Sequence, residues 1–363
     1  MATDVSHRRG LMDMQKLSRH RRMVVLTEGQ LGLFGAKTAA SVIRYRHQDV
    51  VAVLDSERRG EPMAKFLPWG HDIPIVGSVE EALPLAPDAL LVGIAPMGGQ
   101  LPQRMRAHLI AAIEAGLEVV SGLHSALAGD GQIGQSARQR GVRIWDVRET
   151  GDFWQVSTAR AATLPVKRVL TVGTDCVVGK MVAALELTEA ASTAGWDASF
   201  VPTGQTGIMI AGWGMAVDRV ISDFVGGAAE WLVSQVADRQ VCFIEGQGSL
   251  GHPGYSGVAL GLLHGSCPDA LVMCHRPGRD RHHGIEAPVA LLAEQIELTE
   301  AMAALVHPCR VVGLCINTAE MEPAQARRAI DQAADQTGLP AVDVLRDGCG
   351  PLIKALGQAL GMA

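Results

Sequence analysis

The run Gly173-Thr174-Asp175-Cys176-Val177-Val178-Gly179-Lys180 holds residue types at a spacing that binds anions. It follows the apolar stretch Val169-Leu170-Thr171-Val172 and precedes an Ala/Leu/Glu-rich segment of helical character. Strand, glycine loop and helix in that order form an anion cradle. Backbone N–H groups and a helix N-terminus converge on one point, and the terminal Lys adds a mobile positive charge. Gly173, Thr174, Asp175, Val178, Gly179 and Lys180 are the expected phosphate-binding set. A nucleotide triphosphatase needs Ser or Thr after the Lys to hold magnesium, and here Met181 follows. The loop therefore reads as a seat for a phosphate-containing cofactor that is not cleaved at phosphorus, and coenzyme A is one such molecule.

Further polar groups follow other apolar runs. Val241-Cys242-Phe243-Ile244 ends in Glu245-Gly246-Gln247-Gly248-Ser249. An acidic residue at such a strand tip faces the phosphate loop, which makes Glu245 a polar group of the same cleft; the plainer alternative is a capping or loop carboxylate. Ala270-Leu271-Val272-Met273-Cys274 leads to His275, Arg276, Pro277, Gly278 and Arg279. Two guanidinium groups beside an imidazole suit a carboxylate or a phosphate, because Arg offers a rigid bidentate fork. Ala198-Ser199-Phe200-Val201-Pro202 leads to Thr203-Gly204-Gln205-Thr206-Gly207. His252, His264, His282 and His283 add imidazoles, but none stands at the spacing of a zinc helix motif, and no metal is expected.

These groups need strands and helices to hold them. In the first half, Val24-Val25-Leu26 reads as a buried strand followed by a turn bearing Gly29, Gly32 and Gly35, then a helix from Lys37 to Ile43. Val50 to Leu54 is a second strand ending at Asp55, the place where a Rossmann unit meets a ribose hydroxyl. The glycine spacing lacks the tight Gly-x-Gly start, so a working nucleotide site and a bare scaffold both remain open. Ala89 to Ile94 gives a third strand with Pro96-Met97-Gly98-Gly99 at its end, and Leu117 to Val120 a fourth with Ser121-Gly122-Leu123-His124. Val142 to Arg148 closes this half, and the connection to Pro165 marks a boundary. The polar tips of the second half are expected on one edge of a parallel sheet. The fold class is α/β, with a flexible tail over 1–20, a Rossmann-like domain over 21–155 and a P-loop NTPase-like domain over 156–363, each a doubly wound parallel sheet.

Composition sets the outer bounds. With 363 residues, 48% apolar, 41 Gly and a net charge of −6, the chain is long enough for two domains at about 150 residues each. No apolar run reaches the roughly 18 residues of a membrane span, and no signal-peptide core is visible, so a cytoplasmic protein without membrane partners is expected. Seven scattered cysteines suit neither a disulfide framework nor a Cys-x-x-Cys metal site. Mild acidity argues against nucleic acid, and the basic cluster Arg8, Arg9, Arg19, Arg21 and Arg22 reads as a frayed tail.

The runs Gly173 to Lys180, Val201 to Gly207, Asp223-Phe224-Val225-Gly226-Gly227-Ala228-Ala229-Glu230, Glu245 to Leu250 with His252 to Gly257, and Cys274-His275-Arg276-Pro277 resemble the D-glutamate N-acetyltransferase (DgcN) family. That family was formerly one of unknown function. Gly93-Ile94-Ala95-Pro96, Ser121 to His124 and Trp145-Asp146-Val147-Arg148 extend the resemblance over nearly the whole chain. It implies a Rossmann-like domain, a P-loop domain similar in outline to dethiobiotin synthetase, and transfer of acetyl from acetyl-CoA to the amine of a small acidic amino acid such as D-glutamate. The family often has Thr shortly after the loop Lys, whereas this chain continues Met181-Val182-Ala183-Ala184.

Such a reaction must deprotonate an ammonium and stabilise an oxyanion at the thioester carbonyl. Glu245 and His275 are the candidate bases, with His252 in reserve. Backbone N–H groups of Gly246 to Gly248 are candidate oxyanion donors. Gln205, Gln247, Arg279 and Arg148 are candidate substrate-binding residues, the two Arg as carboxylate clamps. Acetyl-CoA is the expected co-substrate, with no metal required, and a homo-oligomer is expected. The rival readings are an ATP-dependent ligase or kinase of dethiobiotin synthetase type, which would need Thr174, Asp175 or Glu245 as magnesium ligands, and a non-catalytic metabolite sensor.

Overall fold

The computed structural model describes residues 22–33, 35–94 and 101–362. The tail over 1–20, the basic residues Arg8, Arg9, Arg19 and Arg21, and Pro96-Met97-Gly98-Gly99 lie outside the described residues. The chain divides into two compact units after Gly151, with Gln205–Ala216 returned to the first.

The first unit is a six-stranded parallel sheet in the order β3-β2-β1-β4-β5-β6. Its strands are β1 (Met23–Leu26), β2 (Val50–Leu54), β3 (Ile75–Val76), β4 (Ala89–Val92), β5 (Glu118–Ser121) and β6 (Ile144–Asp146). Four helices intervene: α1 (Lys37–Tyr45), α2 (Val79–Ala82), α3 (Gln103–Glu114) and α4 (Ile133–Arg140). β1 and β4 are buried at every position, as central strands covered on both faces must be, and this is why they read as unbroken apolar runs. Met23, Leu26, Leu90 and Leu91 are at most 1% exposed; burying each such side chain contributes about 1.5–3 kcal/mol.

The second unit repeats the plan with β7 (Lys167–Gly173), β8 (Ala198–Val201), β9 (Val241–Ile244), β10 (Ala270–His275), β11 (Arg310–Ile316) and β12 (Ala341–Val342), in the order β12-β11-β10-β7-β9-β8. Every pairing in both sheets is parallel. The helices in chain order are α5 (Lys180–Thr193), α6 (Gln205–Ala211), α7 (Val225–Ser234), α8 (Ser256–Ser266), α9 (Leu292–Ala304), α10 (Pro323–Thr337) and α11 (Gly350–Leu360). α10 opens on a first-turn Pro and closes on Gly338 in the left-handed region, the usual start and stop chemistry. The fold is thus α/β with two doubly wound parallel sheets. The polar strand tips of each unit lie at the carboxyl edge of that unit's own sheet.

α6 follows β8 in the chain yet packs in the first unit. Thr206 Oγ1 lies 3.0 Å from Thr38 Oγ1 of α1, and the Met209 carbonyl accepts from Arg46 at 3.1 Å. Ile208 and Met209 are buried in the first core, which holds the helix there. No helix among the described residues is long and apolar enough to cross a membrane.

Candidate functional site

β7 enters the phosphate loop at Gly173 and α5 leaves it at Lys180, with Gly179 as N-cap at φ 105°. Val177, at φ 57°, holds a left-handed conformation that a β-branched residue adopts only under constraint. Lys180 is buried, and its Nζ donates to the Asp175 carbonyl at 2.8 Å. Burial pulls its pKa below the ordinary lysine value, against nearby anionic groups that include Glu245.

Asp175 is the hub of the loop. Its Oδ1 pairs with His282 Nδ1 at 3.0 Å, and its Oδ2 accepts from Arg279 at 2.7 Å and from the His283 backbone N–H at 2.8 Å. Arg279 donates also to the Cys176 carbonyl at 2.7 Å. Burial opposes ionisation of Asp175, but the His282 and Arg279 bonds outweigh it and hold the carboxyl below its usual range. Arg279 is therefore placed on the loop, where it ties the 279–283 segment to Asp175. His282 was not singled out as a site residue, because only the tertiary fold brings position 282 to position 175.

Glu245 follows β9 and is 4% exposed. Its Oε2 accepts from the N–H groups of Thr203 and Gly204 at 2.9 and 3.0 Å, while Thr203 Oγ1 donates to the Glu245 carbonyl at 2.6 Å. Gln247 Nε2 reaches the same Thr203 Oγ1 at 3.2 Å. Burial pushes the Glu245 carboxyl up to about 7 despite these donors and Lys180. Gly246 has to be glycine: a Cβ there would sit 1.7 Å from the Thr171 carbonyl oxygen. Its N–H donates to Thr171 Oγ1 at 3.0 Å, which removes it from the expected oxyanion donors.

His275 Nδ1 lies 3.0 Å from Thr174 Oγ1, and burial, helped by the charge of Arg279, lowers its pKa to about 4. A base that weak is poorly matched to an ammonium proton near neutrality, whereas Glu245 is well matched. His252 is 2% exposed and uses both ring nitrogens on backbone, Nδ1 accepting from Gly254 at 3.1 Å and Nε2 facing the His283 carbonyl at 3.4 Å. Ligand atoms of Asp175, Cys176 and His252 lie within 4.8 Å of one another. They fit a cation poorly, because the Asp175 oxygens already face Arg279, His282 and His283 and the His252 nitrogens are engaged.

The second unit thus gathers Thr174, Asp175, Lys180, Glu245, Gln247, His252, His275 and Arg279. The first gathers the remaining two, Gln205 and Arg148, around Gly122 beyond β5. Arg148 Nε donates to the Gly122 carbonyl at 2.7 Å, and a Cβ at Gly122 would lie 2.8 Å from Gln205 Cγ. At the tip of β2, Asp55 is fully buried, with Oδ2 accepting from Thr27 Oγ1 at 2.9 Å and Oδ1 without a protein hydrogen-bond partner.

A P-loop unit with a Lys-terminated glycine loop, joined to a Rossmann-like unit, is the class that fold and site define. Residues 155–353 match the DUF1611 family as its P-loop domain, and residues 56–150 match the Rossmann-like N-terminal domain of the same family. The chain belongs to the DUF1611 family. A DUF1611 family protein from Anabaena variabilis has a solved structure similar to it at a TM-score of 0.88, with 40% identity over 93% of this chain and 99% of that one. Curated relatives carrying the name D-glutamate N-acetyltransferase are 38% identical in a Pseudoalteromonas species and 37% in Tritonibacter scottomollicae, each over 77% of this chain and 84% of the relative.

Proposed function

We propose that the protein is an N-acetyltransferase that takes acetyl from acetyl-CoA and gives it to the amine of a small acidic amino acid, D-glutamate or one like it. The observation that carries the chemistry is Glu245: a buried carboxylate poised at about 7 beside the phosphate loop suits the removal of an ammonium proton. The named relatives support the transfer class.

The chain's own groups divide the work. The N–H groups of Thr203 and Gly204 hold the Glu245 carboxylate, and Thr203 Oγ1 fixes the backbone behind it. Lys180 and the loop backbone form the anion cradle, kept in shape by Arg279 and His282 through Asp175. Acetyl-CoA, when bound, supplies an activated acyl group, and its phosphates fit the cradle in charge. Lys180 packs against the residue that follows Glu245, since a Cβ at Gly246 would lie 3.0 Å from Lys180 Cδ.

The test is free-thiol release from acetyl-CoA with D- and L-glutamate, aspartate and alanine. The expected result is release with an acidic amino acid, faster than with alanine. No release with any acidic acceptor sinks the substrate claim. Phosphate release from magnesium-ATP would favour the ligase or kinase reading, for which Thr174, Asp175 and Glu245 are poorly disposed, each being engaged by a protein partner.

A further inference from the structure

The first unit holds a cavity of about 220 Å³ at the carboxyl ends of β1 and β4, where the strand order reverses and open α/β sheets bind ligands. Its apolar floor is Ile94 and Met105, which are 4% and 1% exposed. Glu28 lines it, as do Gln30 and Arg104.

The lining carries one charge of each sign. Glu28 is 8% exposed, and its carboxylate is oriented by Ser56, through Oγ at 2.6 Å and N–H at 3.1 Å, and by His108 Nε2 at 3.2 Å. Burial opposes its ionisation, but the Ser56 bonds and His108 prevail and hold its carboxyl below the usual range. Arg104 has a side chain 69% exposed, and one of its nitrogens pairs with Glu57. A guanidinium carries five donors, so the rest of the fork remains for a carboxylate.

A dinucleotide does not suit this place. The volume falls below the roughly 300 Å³ at which pockets for larger ligands begin. The glycine turn that would seat a pyrophosphate is flanked by two carboxylates, Glu28 and Glu57, the latter so close that a Cβ at Gly29 would lie 2.9 Å from it. What fits is a small molecule with a cationic group for Glu28 and an anionic group for Arg104. We propose that this cavity is a binding site for a small zwitterionic amino acid, its ammonium on Glu28 and its carboxylate on Arg104. The site belongs to the first unit and does not rest on the transferase reading.

The experiment is isothermal titration of the full chain, without acetyl-CoA, with D-glutamate, L-glutamate, alanine, glutarate and NAD. At least one of the three amino acids should bind, and glutarate, which has no ammonium to meet Glu28, should bind about tenfold more weakly or not at all. Arg104→Met alters an exposed side chain and should weaken amino-acid binding about tenfold. Met105→Trp fills the floor and should abolish it, with folding checked by circular dichroism. Glu245→Gln should retain it. The proposal fails if no amino acid binds, if NAD displaces the amino acid, if binding survives Arg104→Met at full strength, or if Glu245→Gln removes it. Absence of acetyl transfer would overturn the transferase reading and leave this binding result standing.

Discussion

Two sheets of one architecture end their first central strand in different ways. After β1 comes a turn with Gly29, Gly32 and Gly35, and it carries Glu28, whose carboxylate is fastened to Ser56 and His108. After β7 comes a loop with Gly173 and Gly179, and it ends in buried Lys180. The first turn is the richer in glycine, yet the second is the one that ends in a cation. Glycine allows a backbone to come close to a ligand; the sign of the charge at the turn decides which ligand is accepted.

The sharpest way to break this contrast is at Glu245. Glu245→Gln keeps an amide oxygen for Thr203 and Gly204 but cannot take a proton, so acetyl transfer should fall by about 10²–10⁴-fold. Wild-type activity should rise as pH passes through about 7, where the carboxyl ionises, and the variant should lose that limb. Stability runs the opposite way with pH. A carboxyl raised by folding penalises the folded state above about 7, and the penalty is relieved as pH falls toward the ordinary carboxylate range. Asp130 in the first unit, lowered chiefly by its Arg106 pair and then by the Ile133 N–H, gives the reverse: it stabilises above the ordinary range and is lost in acid. Thermal melts of wild type and Glu245→Gln across pH read both slopes.

Lys180→Ala comes next. It should weaken acetyl-CoA binding by about 1–3 kcal/mol, the range for a charged hydrogen bond, and direct titration measures it. Binding equal to wild type would remove the phosphate loop as the donor site.

Arg279→Ala is expected to act through the loop. Asp175 loses its 2.7 Å partner and the Cys176 carbonyl loses a donor, so donor affinity should drop along with stability, the latter by about 1–3 kcal/mol in a thermal melt. If the variant instead keeps its donor affinity and loses only its preference for acidic over neutral acceptors, Arg279 is a carboxylate clamp after all.

The smallest effect is expected from Met181→Thr, which restores a hydroxyl after the loop Lys. One added ligand supplies neither a positioned water nor a stabilised leaving group, so phosphate release from magnesium-ATP should stay at background. A burst of phosphate from this variant would show the loop to be an NTPase site lacking one group.

The sequence by itself determined the two parallel sheets, the loop from Gly173 to Lys180 and the carboxylate at the end of β9. Central parallel strands are apolar on both faces, and the polar residue that ends each run falls at a ligand-bearing edge, so local pattern suffices. Tertiary structure alone decided the rest. It brought His282 and Arg279 onto Asp175 across 107 and 104 positions. It carried α6, with Gln205, into the first unit, although its sequence follows β8, because the partners that bury Ile208 and Met209 belong to that core. It also raised Glu245 and lowered His275 by burial, which separates two candidate bases that residue type alone leaves equal. Desolvation depends on what surrounds a group in space, and the surroundings of these groups come from strands and loops far away along the chain.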